Sequence, residues 1–294
     1  MNALITKNSF METPQLIEPL FDLLETSFPG IGQARHNAQI MDVKWQSIST
    51  PFVIFENCIA KSHVGVLEIP LVVMGASLLV GATHAICTRP SDRRKGLFRK
   101  LMTDALGYCS SRYDTVILFT AQPELYEPFG FRVVKEHRFR FQVASKVDAN
   151  GDFGLRLLDK TVPNDLQLIH SLLNTRAPLS KVLGVGQEKG IFGFNESGRP
   201  LYYLEKLNLM VSMEVIGNEL HLYDLIGPKI CLFSEFMAAL QQPVSEVLFY
   251  FSPDQLEVQA LAEPHIVEGD SNLMVKGPFA CELEKFMVPR TARC

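Results

Sequence analysis

The segment 77–120 constrains the fold more than any other part of the chain. It reads as an apolar strand (77–88), a basic turn, an amphipathic helix (96–109) and a second apolar strand, TVILFT (115–120). In the helix, Leu97, Phe98, Leu101, Met102, Ala105 and Leu106 recur with helical spacing and make one buried face. Strand, helix and strand at this spacing form a βαβ unit. Its two strands run parallel and its crossover is right-handed. The segments at 52–57, 58–68 and 70–75, and a strand pair at 131–144, read as a meander, so the sheet is expected to be mixed. Helices are expected at 14–28 and 33–45, and PELYEPFGF reads as a short helix closed by Gly130. The fold class is α/β of the α+β kind: a mixed, mostly antiparallel sheet flanked by helices.

From about residue 150 the plan starts again. TPQLIEPLFDLLETSFP (13–29) has a counterpart in VPNDLQLIHSLLNTRAP (162–178), and 97–102 has one in 232–237. TVILFTAQPELY (115–126) is echoed by EVLFYFSPDQLE (246–257). Three matches in one order indicate an internal duplication. Two domains are expected, 1–148 and 149–294. The second copy carries Gly227-Pro228-Lys229-Ile230-Cys231 where the first has Arg93-Arg94-Lys95-Gly96, so one chemistry is present once.

Composition narrows the class. The 294 residues are 47% hydrophobic and 20% charged, with a net charge of −4 and a pI near 6.0. Such a chain is globular and is not built to coat nucleic acid. The apolar run 69–87 is long enough to suggest a membrane span, but Met74-Gly75 and His84 interrupt it. Two buried strands and a tight turn are expected there, and no membrane partner. The N-terminus lacks an apolar core followed by a small-residue cleavage site. The six cysteines form no CxxC pair and are not spaced against histidines as in a zinc site, so reduced thiols, a cytoplasmic location and no metal are expected.

The basic stretch RPSDRRKGLFRKLM (89–102) admits three readings: a solvated patch, a nucleic-acid patch, or a cradle for a phosphorylated cofactor. Its place decides among them. The first amides of a helix have no intrahelical partner, and the dipole favours an anion there. Gly96 keeps the main chain accessible, and Arg93, Arg94 and Lys95 add charge-assisted donors. Neither the P-loop nor the GxGxxG fingerprint is present. The glycines of 184–190 read as a flexible surface loop that could border an acceptor cleft. Arg138 and Arg140 alternate with Phe139 and Phe141 as on a strand with one wet face.

At these residues the chain resembles the GCN5-related N-acetyltransferase (GNAT) superfamily. Arg93-Arg94-Lys95-Gly96 matches the first four positions of its Q/R-x-x-G-x-G/A signature, with Phe98 in place of the last. Tyr126-Glu127-Pro128-Phe129-Gly130-Phe131 matches the family's YE-x-x-GF ending. The wording is most similar to the Eis-type tandem-GNAT branch, without room for that branch's sterol-carrier-like domain. The resemblance implies acetyl-CoA as cosubstrate and no metal. Its pyrophosphate would lie on the amides from Arg94 to Phe98, beside Arg93, and its pantetheine would run as an added strand along Ile86, Cys87 and Thr88. It implies an N-acetyltransferase with a degenerate second GNAT-like half and Tyr126 as general acid, its phenol being protonated at pH 7. The acceptor would be a small-molecule or peptide amine, and a homo-oligomer is compatible with this reading. The alternative is a non-catalytic acyl-CoA-binding sensor or scaffold. His84, Glu68 and Glu124 are unranked candidates for the base, and the resemblance raises the question whether the chain end at Cys294 enters the site. The acidic pI mildly favours a cationic acceptor.

Overall fold

A computed structural model describes residues 14–143, 155–240, 243–267 and 271–294. The first half runs α1 (Ile17–Glu25), α2 (Ile31–Ile40), a single turn α3 (Trp45–Ile48), then strands β1 (Thr50–Glu56), β2 (Ile59–Val73) and β3 (Ala76–Thr88). Helix α4 (Leu97–Ser110), β4 (Val116–Thr120), β5 (Arg132–Val134) and β6 (His137–Gln142) follow. The second half comprises β7 (Leu155–Leu157), α5 (Pro163–Asn174), β8 (Leu183–Val185), α6 (Gly190–Glu196), β9 (Tyr202–Leu204), β10 (Leu209–Ile216) and β11 (Glu219–Ile226). It ends with α7 (Phe233–Leu240), β12 (Glu246–Phe249), β13 (Leu261–Pro264) and β14 (Asn272–Lys276).

The strands form two sheets. The first has the order β1-β2-β3-β4-β14-β5, with β8 also on β2, and the second has the order β13-β6-β12-β11-β10-β9-β7. Among the described residues only β3–β4 and β11–β12 are parallel, one βαβ crossover in each sheet. The expected mixed, mostly antiparallel sheet flanked by helices is therefore present twice. The helix of each crossover is amphipathic: α4 buries Leu101, Met102, Ala105 and Cys109, and α7 buries Phe236, Met237, Ala239 and Leu240. Each fully buried Leu, Met or Phe among them contributes roughly 1.5–3 kcal/mol of transfer free energy.

Four local expectations change. The helix expected over 33–45 stops at Ile40, where Asp42 takes φ of 55°. The strands at 58–68 and 70–75 are one strand of 15 residues, β2. Pro70 is tolerated inside it because β1 pairs no further than Val66 and β8 begins opposite Leu71. The segment 131–144 is not a hairpin: β5 pairs with β14, and β6 crosses to the second sheet between β12 and β13. The glycines at 184–190 do not make a surface loop. They hold the end of β8 and the start of α6, and Gly186 donates its N–H to the Pro70 carbonyl at 2.7 Å.

The segment 286–293 ties the two sheets together through buried ion pairs. Arg293 forks onto Glu136 at 2.8 and 2.7 Å, and Arg290 reaches Glu196 at 3.1 Å with both nitrogens. Thr291 donates to Asp224, which also receives Arg176 at 2.8 and 2.9 Å. All six cysteines are free. Among the described residues no helix is long and apolar enough to cross a membrane.

Candidate active site

The two parallel strand pairs differ. β3 and β4 pair only at Gly81–Val116 and Ala82–Ile117 and then separate. β11 and β12 pair through four positions, Glu219–Glu246 to Leu222–Phe249, and Tyr250 adds an N–H bond to the Leu222 carbonyl at 3.0 Å. The first sheet is therefore split by a wedge that the second closes. Past the split, β3 carries a bulge against β2, between the pairs His63–Cys87 and Gly65–His84, where Ala85 takes φ of 48°. The β3 edge from Ile86 to Thr88 is left free on the side of β4, which is the geometry an added extended chain requires.

A cleft of about 1210 Å³ occupies this wedge. Ile86, Cys87 and Thr88 line its middle, and Arg93, Arg94, Gly96, Leu97 and Phe98 line one end. The main chain alternates hands there: Arg94 has φ of 62° and Gly96 φ of 79° before the helix starts, and the first helical bond runs from Lys100 N–H to the Gly96 carbonyl. Left-handed residues just before the free amides of a helix start form an anion-binding concavity. Nothing crowds a Cβ at Gly96, so backbone conformation is what calls for glycine. Lys95 does not line the cleft. Its Nζ turns back to Asp92 at 2.7 Å, where Lys61 also approaches at 3.4 Å, and this fixes the turn. Arg99, which helical periodicity assigns to the solvated side, lines the cleft instead.

Cys87 is an uncharged strand thiol, since burial pushes it up to about 12. Tyr126 lies on the cleft wall, 7% exposed, and burial raises its phenol to about 12 against a lowering hydrogen bond with Thr120. Phe98, the departure from the family signature, stacks edge-on against Tyr126 with centroids 5.7 Å apart and touches Phe129 in the same way. The larger side chain supports the phenol from behind.

The cleft is also lined by residues that carry no sequence motif. α6 contributes Ile191, Phe194 and Asn195, the 286–294 segment contributes Arg293 and Cys294, and Trp45, Ile48, Leu67 and Phe119 complete this part of the lining. Helix α6 can pack this closely because a Cβ on Gly190 would overlap Ile48. Glu188 caps it, accepting the N–H bonds of Ile191 and Phe192 at 2.8 and 3.0 Å. The Cys294 thiol, at the same wall, is pushed up to about 12 by burial. His84 lies under Trp45, with ring centroids 4.9 Å apart and Nε2 2.8 Å from Ser49 Oγ. Burial lowers it to about 3, so it is neutral at physiological pH and is no store for a proton. Glu124 does not line the cleft, and Glu68 accepts the Tyr113 hydroxyl at 2.6 Å outside it.

Residues 13–134 match the family model described as an acetyltransferase (GNAT) domain. Among solved structures, a probable N-acyltransferase from Enterococcus faecalis matches with a TM-score of 0.59 at 12% identity, over 97% of this chain and 73% of its own. A GCN5-related N-acetyltransferase from Kribbella flavida follows with a TM-score of 0.54 at 15% identity, over 94% and 70%. One from Anabaena variabilis has a TM-score of 0.50 at 13% identity, over 88% and 69%. At these identities the structural likenesses speak for the fold. No curated protein matches the sequence. The split parallel pair and the amide cradle both lie within the residues of the domain match. The match to the GNAT domain model covers residues 13–134, less than half of the 294 residues.

Proposed function

We propose that the protein transfers an acetyl group from acetyl-CoA to an amine at a single site in its N-terminal unit, with Tyr126 as general acid. Two GNAT-like units, 1–148 and 149–294, would share this work unequally, the second serving as scaffold. The observation that carries the reading is the contrast between the two parallel pairs: β3–β4 parts after two positions, whereas β11–β12 stays zipped. Only the first leaves an edge on which an extended pantetheine can pair.

The residues divide the chemistry as follows. The amides from Arg94 to Phe98, with the guanidinium groups of Arg93, Arg94 and Arg99, would hold the pyrophosphate. The free edge at Ile86–Thr88 would align the thioester arm. The amine nitrogen attacks the acetyl carbonyl carbon, a C–N bond forms and the C–S bond breaks. The departing sulfur takes the Tyr126 proton, and the proton lost by the amine passes to water, from which the phenol is restored. Holding the phenol fully protonated and its partner thiolate close suits a general acid.

Calorimetric titration with acetyl-CoA tests the site. One binding event per chain is expected, and Arg94→Glu should weaken it at least tenfold. Two events of similar affinity, or none, would overturn the single-site reading. A second reading, a non-catalytic acyl-CoA sensor, draws on one observation: no side chain among the described lining residues is a free base titrating near neutrality. It predicts binding with no thiol release for any amine.

A further inference from the structure

The far end of the cleft says what the acceptor is. Its wall is apolar and largely aromatic: Trp45, Ile48, Phe119, Ile191 and Phe194, with Phe28 at the rim. Trp45 and Phe194 meet edge to face with centroids 5.2 Å apart, so the wall is already packed. Among the described lining residues, Asp92 is the one carboxylate side chain, and it sits in the cradle turn under Lys95 and Lys61. The one charged side chain at the far end is a cation, Arg293. Its guanidinium is held by Glu136 and by the Ser271 carbonyl at 3.0 Å, and it stacks over Phe119 at 4.0 Å, so it is not open to a substrate carboxylate.

Among the polar groups of the described lining, Asn195 and Thr83 offer hydrogen-bonding positions at this end. Asn195 donates both N–H bonds of its amide, to the Arg290 carbonyl at 2.9 Å and the Arg293 carbonyl at 2.7 Å. Carbonyl oxygens only accept, so the amide orientation is fixed and Oδ1 is left as an acceptor. Thr83, the first residue of β3 beyond the last pair with β4, lines the cleft with a buried hydroxyl that has no partner. A buried hydroxyl of this kind calls for a ligand partner.

We propose that the acceptor is an apolar monoamine, a single amino group on an aromatic or comparable hydrocarbon body, and that Asn195 and Phe194 select it. The inference rests on the acetyltransferase reading and names the substrate class of that site. It runs against the cationic acceptor that the acidic pI favours. Net charge is a property of the whole surface, whereas binding is decided where the ligand is desolvated. A polyamine or aminoglycoside would bring several ammonium groups to a wall whose described side chains are mostly apolar and offer no unpaired carboxylate. Desolvating an unpaired charge is among the most costly steps in recognition.

The test measures CoA release with 2-phenylethylamine, tryptamine, spermidine and kanamycin as acceptors, alongside calorimetric binding of acetyl-CoA. The aromatic monoamines are expected to exceed spermidine and kanamycin at least tenfold in kcat/KM. Phe194→Ala is expected to raise KM for 2-phenylethylamine about tenfold while KM for acetyl-CoA stays within about twofold, a split that loss of one aromatic contact at the acceptor wall would give. Preference for spermidine or kanamycin overturns the proposal. So does turnover of none of the four by protein that binds acetyl-CoA, which leaves the cofactor site standing. Failure of the full-length protein to bind acetyl-CoA removes both this inference and the reading beneath it.

Discussion

Tyr126 and Phe98 work as a pair. A phenol raised to about 12 by burial stays protonated throughout the usual assay range, so the proposed donor would keep its proton there. Its removal should show in turnover. Tyr126→Phe keeps the ring packed on Phe98 and is expected to lower kcat by about 10²–10⁴ while KM for acetyl-CoA holds, as a lost general acid does; an unchanged kcat would remove Tyr126 from the mechanism. Two of the buried histidines, His63 and His84, act on stability instead. Burial lowers His63 to about 4 and His84 to about 3, from 6.5. Below pH 6.5 the unfolded chain binds protons that the folded chain refuses, so stability is full above that pH and falls with acid down to about pH 4 and pH 3 respectively. Each histidine contributes a slope of up to about 1.4 kcal/mol per pH unit in that window. Thermal unfolding at pH 7.5 and pH 5.0 should show a loss that His84→Gln reduces; equal losses in the two proteins would contradict it.

At the scale of the element, the start of α4 and the parting of β3 from β4 make the cradle together. Gly96 at φ of 79° sets the direction in which the helix amides point. Gly96→Ala forces a Cβ into the left-handed region at a cost of about 1–2 kcal/mol. Expressed at the site, that weakens acetyl-CoA binding about five- to thirty-fold, which calorimetry measures directly, and an unchanged affinity would mean the turn does not shape the cradle. This part of the site was legible in the sequence because it is local. Arg93 to Phe98 lie in one βαβ unit, where periodicity, a basic turn and a glycine report on neighbours within ten residues or so. The far wall was not legible. Ile191, Phe194, Asn195 and Arg293 reach the cleft through long-range packing of α6 and of the 286–294 segment, and none belongs to a motif. The glycines at 184–190 were the available signal. They spell close approach of α6 to Ile48, but close approach and a loose loop look alike until the neighbour is known. Arg99 and Lys95 exchanged expected roles for a similar reason: periodicity places a Cβ on a face but does not say which way a long side chain turns.

At the scale of the whole molecule, the halves have traded strands. β14 comes from the end of the chain and inserts between β4 and β5, while β6 leaves the first half to sit between β12 and β13. The duplication in the sequence predicts two sheets but not this exchange, because short strands such as β6 and β14 carry no signal of which sheet will bury them. The exchange has a consequence for cooperativity. A fragment ending at residue 148 lacks β14, so β4 loses five paired positions from Asn272–Thr120 to Lys276–Val116, and β5 loses its sheet partner. It also lacks Arg293, leaving the nearly buried Glu136 carboxylate without its guanidinium, an uncompensated charge that costs about 3–5 kcal/mol. A domain of this size has stability of about 5–15 kcal/mol in total. The fragment 1–148 is therefore expected to be unfolded or aggregated and to bind no acetyl-CoA, even though it holds the whole cradle. The intact chain is expected to unfold in urea in one transition seen alike by circular dichroism and by Trp45 fluorescence. Two separated transitions, or a soluble fragment with full-length affinity for acetyl-CoA, would show that the exchanged strands only decorate two independent domains.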